Sequence, residues 1–141
     1  MVAGLAAAVG GVAGLVAAQQ MDQPQPHPGT GSTIDPHPGR WVDVASLHDL
    51  PEGRGVAVTA GAVEALVTRR GTSVTAVSAI CSHMPCRLDP QSDGTFLCPC
   101  HLQYFSVSGR PVDSGYAASV PPLTRVAVRI TKENRVEVLG T

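Results

Sequence analysis

Aromatic residues and net charge are both scarce in this 141-residue chain. It contains one Trp, two Tyr and two Phe, and its formal net charge at pH 7 is −1. Without a basic excess, the composition gives no support to a nucleic-acid partner. A core must be built mainly from Val, Leu, Ile and Ala, and the 15 Gly and 12 Pro add many turn positions. This combination favours one small β-rich domain.

Cysteine is absent outside one short segment, and familiar catalytic sets are absent too. All four cysteines and two of the five histidines lie between Cys81 and His101. We find no acid–base pair, nucleophile–base set or phosphate-binding loop elsewhere in the sequence. We therefore do not expect the chain to be a complete enzyme by itself, although a complex that contains it can be one.

The first 19 residues form an apolar segment without charge, because Asp22 is the first charged residue. The segment falls just short of the roughly 20 residues that span a bilayer, and Ala and Gly make it weakly hydrophobic. No basic residues precede it, as they would in a secretory signal. We predict a helix over residues 2–19 that acts as a membrane anchor or export signal. A buried Ala-rich helix is the alternative.

Residues 20–40 contain five prolines and read as an extended, mobile linker without regular structure. His27 and His37 both precede prolines in this linker, and we interpret them as solvated. The remaining residues, 41–141, are predicted to form one domain.

Two predicted hairpins make the domain all-β. "EALVTRRGTSVTAVSAI" reads as two strands with a turn at Arg70-Gly71, and "TRVAVRITKENRVEVLG" as two strands with a turn at residues 132–134. Val126, Val128 and Ile130 recur with a period of two, which is typical of half-buried antiparallel strands. One short helical turn is expected at residues 47–50. The cysteine segment should then lie in loops between strands.

The cysteine segment contains six groups that bind metals or form disulfides: Cys81, His83, Cys86, Cys98, Cys100 and His101. Haem attachment is disfavoured because it requires C-x-x-C-H, and a redox dithiol is weakly supported without C-x-x-C. Two disulfides would leave the histidines unexplained. Zinc bound by two thiolates and two imidazoles is chemically possible but leaves two cysteines without a role. A [2Fe–2S] cluster held by two thiolates and two imidazoles is the remaining candidate.

The loops "CSHMPC" and "CPCH" resemble the paired cluster-binding loops of Rieske proteins. The likeness is to the high-potential type of cytochrome bc complexes and arsenite oxidase small subunits. "WVDVASLHDLPEG" and "SGRPVDSGYAASVPPLTRVAVRI" extend it more weakly over residues 41–141. The resemblance implies an antiparallel β-sandwich with cluster-binding loops and one [2Fe–2S] cluster. It assigns four iron ligands and a loop-linking disulfide between Cys86 and Cys100; the ligands are Cys81, His83, Cys98 and His101.

The sequence departs from the respiratory Rieske pattern after the second loop. Leu102 stands where the family usually has Gly, Gln103 replaces a Ser, and Phe105 falls where a Tyr hydroxyl is usual. Tyr104 is one residue away and should face the opposite side of a strand. Those hydroxyls donate to cluster sulfurs, so we predict a redox potential below that of respiratory quinol oxidases. The general range for such centres is about −150 to +300 mV.

Three further residues are expected near the cluster. Met84 replaces a usual Leu and should cover the cluster as an apolar lid. Pro85 replaces a usual Gly and removes a backbone N–H. Tyr116 stands at a usual proline position and either packs over the cluster or is a surface aromatic.

The resemblance implies a one-electron carrier rather than a binding module. We expect the iron–sulfur subunit of a membrane-associated, quinol-oxidising cytochrome bc-type complex, with cytochrome b or c subunits as partners. The alternative is the small subunit of a molybdenum oxidase such as arsenite oxidase, and an alternative of another class is a zinc-stabilised, non-redox module. The implied disulfide suggests an oxidising compartment. We therefore expect the domain to lie outside the cytoplasm, exported or anchored at the extracytoplasmic face of a bacterial-type membrane.

Overall fold

The computed structural model describes residues 32–112 and 120–141. The predicted N-terminal helix, most of the predicted linker and Tyr116 lie outside these ranges. Within them, the predicted all-β fold is confirmed, and the only helical element is a 3-10 turn at Leu47–Asp49, where a short turn was expected. No helix in the described part of the chain is long and apolar enough to cross a bilayer.

Eleven strands in the described ranges form three sheets. The strands are β1 Thr33–Ile34, β2 Arg40–Ser46, β3 Gly55–Ala60, β4 Val63–Arg70, β5 Ser73–Ser78, β6 Asp89–Pro90, β7 Phe96–Cys98, β8 Gln103–Phe105, β9 Arg125–Val126, β10 Val128–Ile130 and β11 Arg135–Gly140. The large sheet has the order β1-β9-β5-β4-β3, the second sheet β10-β11-β2, and the third sheet β6-β7-β8. The third sheet carries the cysteine segment.

The large sheet is covered on both faces, which explains the nearly continuous apolar run in β4. Val63, Ala65 and Val67 face the first core, which the large sheet shares with Val136 and Val138 of the second sheet. Leu66 points the other way, because successive side chains of a strand alternate between faces. It packs into the second core, together with the other members Val77, Ala79, Cys81, Leu88, Phe96, Cys98, Phe105, Val120 and Leu123. The second core therefore connects the sandwich to the cysteine segment.

The two predicted hairpins are confirmed, but one of the predicted strands is divided. Residues 125–130 were read as one strand, whereas the chain changes sheets at Ala127. On one side Val77 of the large sheet pairs with Arg125, and on the other Val128 of the second sheet pairs with Val138. Sheet-switching strands are a normal way to make the corner of a sandwich. The alternating pattern is the same for both arrangements, so it does not reveal the switch.

The prediction of irregular structure through residue 40 is wrong at two places. Thr33–Ile34 pairs in parallel with β9, supported by a hydrogen bond from the Arg125 amide to the Ser32 carbonyl at 2.7 Å, and β2 already begins at Arg40. Prolines at positions 36 and 38 do not prevent this, because the two residues of β1 lie before them and β2 begins after them. Regular strand structure therefore begins earlier in the sequence than the composition suggested.

One buried polar group in β4 yields a stability prediction. The Thr68 side chain is 1% exposed, and its hydroxyl has no hydrogen-bond partner among the described residues. Burying an unpaired hydroxyl costs on the order of 1–3 kcal/mol in protein mutational data. Thr68→Val removes that cost while keeping the shape, so the free energy of unfolding should rise by about 1–2 kcal/mol in urea titrations. Thr75→Val, at the partially exposed cross-strand position, is the matched control and should stay within about 0.5 kcal/mol. A Thr68→Val variant that unfolds more easily would contradict the prediction.

Candidate metal centre

Two loops bring the cysteines together, and each is closed at its base by strand pairing. The first cysteine loop, residues 81–86, is closed by an Ile80–Arg87 bridge and by a hydrogen bond from the Cys81 amide to the Cys86 carbonyl at 2.8 Å. The second cysteine loop, residues 98–102, joins β7 to β8, where Cys98 pairs with Gln103. Because both loops are fixed at their ends, their side chains are held at one end of the molecule.

The two cysteines predicted as ligands lie side by side in the second core. Cys81 is 6% and Cys98 1% exposed, and both are free thiols. Both belong to the same cluster of buried side chains. Burial, reinforced by the neighbouring Cys81 side chain, raises the pKa of the Cys98 thiol. Both sulfurs are thus placed where water is excluded and where a cation would compensate their charge.

The two histidines predicted as ligands meet at the surface. His83 and His101 come from different loops, are both exposed, and their ring centroids are 5.0 Å apart with an interplanar angle of 70°. Two buried thiols and two exposed imidazoles therefore occupy one end of the domain as two pairs. That donor set matches a cluster whose irons have different ligands, two thiolates on one and two imidazoles on the other.

The predicted disulfide is confirmed. Cys86 and Cys100 are bonded across the two loops, with their Cα atoms 6.5 Å apart. The Cys86, Cys98 and Cys100 sulfurs all lie within 4.8 Å of one another, which by distance alone forms a candidate metal-binding group. Two of these sulfurs are consumed by the disulfide, so only Cys98 has a lone thiol for a metal. Chemistry therefore favours the Cys81–Cys98 pair as the sulfur ligands.

Residues 40–126 match the family described as the Rieske [2Fe-2S] domain. The chain belongs to this family. The Rieske domain binds a [2Fe–2S] cluster, so the zinc-only alternative is set aside. The cluster makes the domain a one-electron carrier.

Named relatives agree with this assignment over part of their length. The chain is 42% identical over 62 residues to the carotenoid phi-ring synthase of Chlorobaculum tepidum, covering 43% of this chain and 10% of the synthase. It is 35% identical over 69 residues to the cytochrome b6-f complex iron-sulfur subunit of the same organism, covering 48% of this chain and 38% of that subunit. The chain thus spans well under half the length of these relatives.

One solved structure is matched by this chain over nearly the whole length of the solved protein. The ferredoxin of carbazole 1,9a-dioxygenase from Nocardioides aromaticivorans IC177 is 29% identical, with a TM-score of 0.57, and the match covers 72% of this chain and 98% of the ferredoxin. The Rieske fold predicted from the sequence is confirmed.

The residues after the second cysteine loop alternate as predicted. Gln103 and Phe105 are buried, at 3% and 0% exposed, whereas Tyr104 is 39% exposed on the opposite face of β8. The Gln103 amide nitrogen donates to the carbonyls of Tyr104 at 2.6 Å and Val112 at 3.1 Å. The amide that replaces a family hydroxyl is thus engaged with the backbone, and Phe105 has no hydroxyl to offer.

Leu102 has a backbone conformation that the sequence did not reveal. Its φ is 54°, in the left-handed region that favours glycine, and its side chain is 65% exposed. The family Gly at this position was the available signal, but a Leu in its place reads equally well as an ordinary loop residue. Met84 is 47% exposed, so two apolar side chains stand at the surface, one in each loop and each directly after a histidine in sequence.

Two contacts support the first cysteine loop from outside, and the sequence did not predict either of them. The Ser82 hydroxyl donates to the Pro121 carbonyl at 2.5 Å. Arg87, directly after the loop, forms an ion pair with Glu64 of β4. Both contacts span more than 20 residues of sequence, so no local pattern carries a signal for them.

Proposed function

We propose that Cys81, His83, Cys98 and His101 hold the [2Fe–2S] cluster, with the two thiolates on one iron and the two imidazoles on the other. The observation that carries this assignment is the pairing of buried thiols and exposed imidazoles at one end of the domain. The bound cluster supplies reversible one-electron transfer. Burial of the cysteines keeps water from the sulfurs, and exposure of the histidines gives partners access to that edge.

We further propose that the chain is the iron–sulfur subunit of a membrane-associated, quinol-oxidising cytochrome bc-type complex. The similarity to a cytochrome b6-f iron-sulfur subunit supports this role. In it, the exposed imidazole of His101 accepts a hydrogen bond from the quinol O–H and takes up its proton. The Cys86–Cys100 disulfide supports a location in an oxidising compartment outside the cytoplasm, with the N-terminal segment leading to the membrane.

The small subunit of a molybdenum oxidase is the second candidate, and the environment of β8 favours it. Gln103 donates its amide to backbone carbonyls, and Phe105 cannot donate at all. Hydrogen bonds from protein groups tune the potentials of iron–sulfur centres, and their loss disfavours the more negative, reduced state. A cluster with a lower redox potential is better suited to accept electrons from the large subunit of a molybdenum oxidase than to accept them from a quinol.

Affinity purification of the complex from its native membrane tests both roles. Co-purification of a cytochrome b supports the quinol-oxidising complex, provided that addition of a quinol reduces the cluster, as followed by its visible absorption. Co-purification of a large molybdopterin-containing subunit, with no response to quinol, supports the oxidase role. Recovery of the holoprotein without any redox subunit would contradict both.

The missing hydroxyl at position 105 gives a prediction for the redox potential. A hydrogen bond to a charged acceptor contributes roughly 1.5–3 kcal/mol. For a one-electron couple, about 1.4 kcal/mol corresponds to about 59 mV, so Phe105→Tyr should raise the midpoint potential by about 60–130 mV in a redox titration. Tyr104→Phe removes a hydroxyl from the opposite, exposed face and should leave the potential unchanged. Equal potentials for wild type and Phe105→Tyr would show that this side chain does not reach the cluster.

A further inference from the structure

A free thiol lies beside the disulfide in the second cysteine loop. The Cys98 sulfur is within 4.8 Å of both disulfide sulfurs, those of Cys86 and Cys100. Cys81, the other free cysteine, is not a member of this three-sulfur group. Disulfides exchange when a neighbouring thiol sulfur attacks one of their two sulfurs. The arrangement therefore contains an attacking group and its target in one chain, with no external oxidant or reductant required.

We propose that loss of the cluster allows Cys98 to attack the neighbouring disulfide and to move the bridge from Cys86–Cys100 to Cys86–Cys98. This inference rests on the proposed role of Cys98 as an iron ligand, since a metal-bound sulfur is not available to attack. In the step, the bond between the Cys98 and Cys86 sulfurs forms and the bond between the Cys86 and Cys100 sulfurs breaks. The proton from Cys98 goes to Cys100, and no net oxidation takes place.

Burial determines which sulfur leaves. Cys100 is exposed and Cys86 is half-buried, so a sulfur released at position 100 is stabilised by water as it gains charge. The product also keeps the two cysteine loops linked to each other. Attack on Cys100 would instead join Cys98 to Cys100, two cysteines separated by one residue, and would disconnect the loops.

The exchange has a consequence for reloading of the cluster. A chain with a Cys86–Cys98 bridge lacks one of its two sulfur ligands and cannot accept a new cluster until a thiol reductant restores the original pairing. Cys98 is therefore a modification site that records cluster loss. Because Cys98 is 1% exposed, the exchange should be slow and take minutes to hours.

Disulfide mapping of the wild-type protein tests the exchange. The cluster is removed from the holoprotein with an iron chelator, without thiol reagents and without oxygen, so that Cys81 and Cys98 are not oxidised together. Free thiols are then labelled, and peptides are mapped under non-reducing conditions. We expect growing label on Cys100 and a linked Cys86–Cys98 peptide, and none of either in the holoprotein. Label confined to Cys81 and Cys98 after a day, with the original bridge intact, would overturn the proposal.

Two serine variants separate exchange from general unfolding. Cys81→Ser keeps the proposed attacking group and should exchange, whereas Cys98→Ser should reduce Cys100 labelling about tenfold or more, since it removes the attacking sulfur. Linked peptides that contain Cys81 would indicate random exchange in an unfolded chain and would also overturn the proposal. If Cys98→Ser still assembles a cluster, the ligand assignment fails, while mapping of the cluster-free wild type still reports on the exchange.

Discussion

Replacing Cys98 by serine is expected to eliminate the cluster, with iron falling from about two per chain to near zero. The reason is that Cys98 provides one of only two free thiols at the site, and it lies in the same buried cluster as the other, Cys81. A serine hydroxyl is a far weaker ligand than a thiolate and cannot replace it for iron. The measurements are iron content, visible absorption and the EPR signal of the reduced protein.

The controls use cysteines and histidines from the same chain. A double Cys86→Ser and Cys100→Ser variant removes the other two cysteines and should keep both iron and colour. His101→Ala should lose them, whereas His48→Ala, an exposed histidine of the 3-10 turn, should not. If the double serine variant is colourless while Cys98→Ser retains iron, the ligand and disulfide roles assigned to these residues are exchanged.

The all-β fold, its two hairpins and the loop-linking disulfide were predictable from the sequence. Metal ligands and disulfides depend on residue types at short spacing, and "CSHMPC" and "CPCH" retain both. The loop-linking disulfide followed from the family resemblance, and the hairpins followed from a period of two with turn residues between strands. These features are local or nearly so, which is why one sequence was sufficient for them.

Features that depend on distant partners were not predictable. Ala127 lies within an uninterrupted alternating pattern, and only the pairing of its neighbours with β5 and β11 shows that the chain changes sheets there. The direction of the Gln103 amide is set by the carbonyls of Tyr104 and of Val112, the latter nine residues away. Likewise, the left-handed backbone of Leu102 is fixed by the geometry of the loop, because leucine itself disfavours it.

Apart from a bound cluster, the disulfide should be the main covalent support of the two loops. In the chain-entropy model, closing a loop of about 15 residues between Cys86 and Cys100 stabilises the folded state by about 3 kcal/mol at 25 °C. Few other contacts can replace it, because residues 83–85 and 99–102 are exposed and the first cysteine loop is held mainly by backbone hydrogen bonds at its base and by Ser82.

The double Cys86→Ser and Cys100→Ser variant is therefore expected to unfold with a free energy about 3 kcal/mol lower than the wild type. It is preferable to either single variant, because a single replacement leaves a free thiol beside Cys98 and permits new disulfides. Urea titration of both cluster-loaded proteins, followed by circular dichroism and by visible absorption, measures the loss. A decrease below about 1 kcal/mol, with the same dependence on urea, would show that the loops are held by packing and by the cluster rather than by the disulfide.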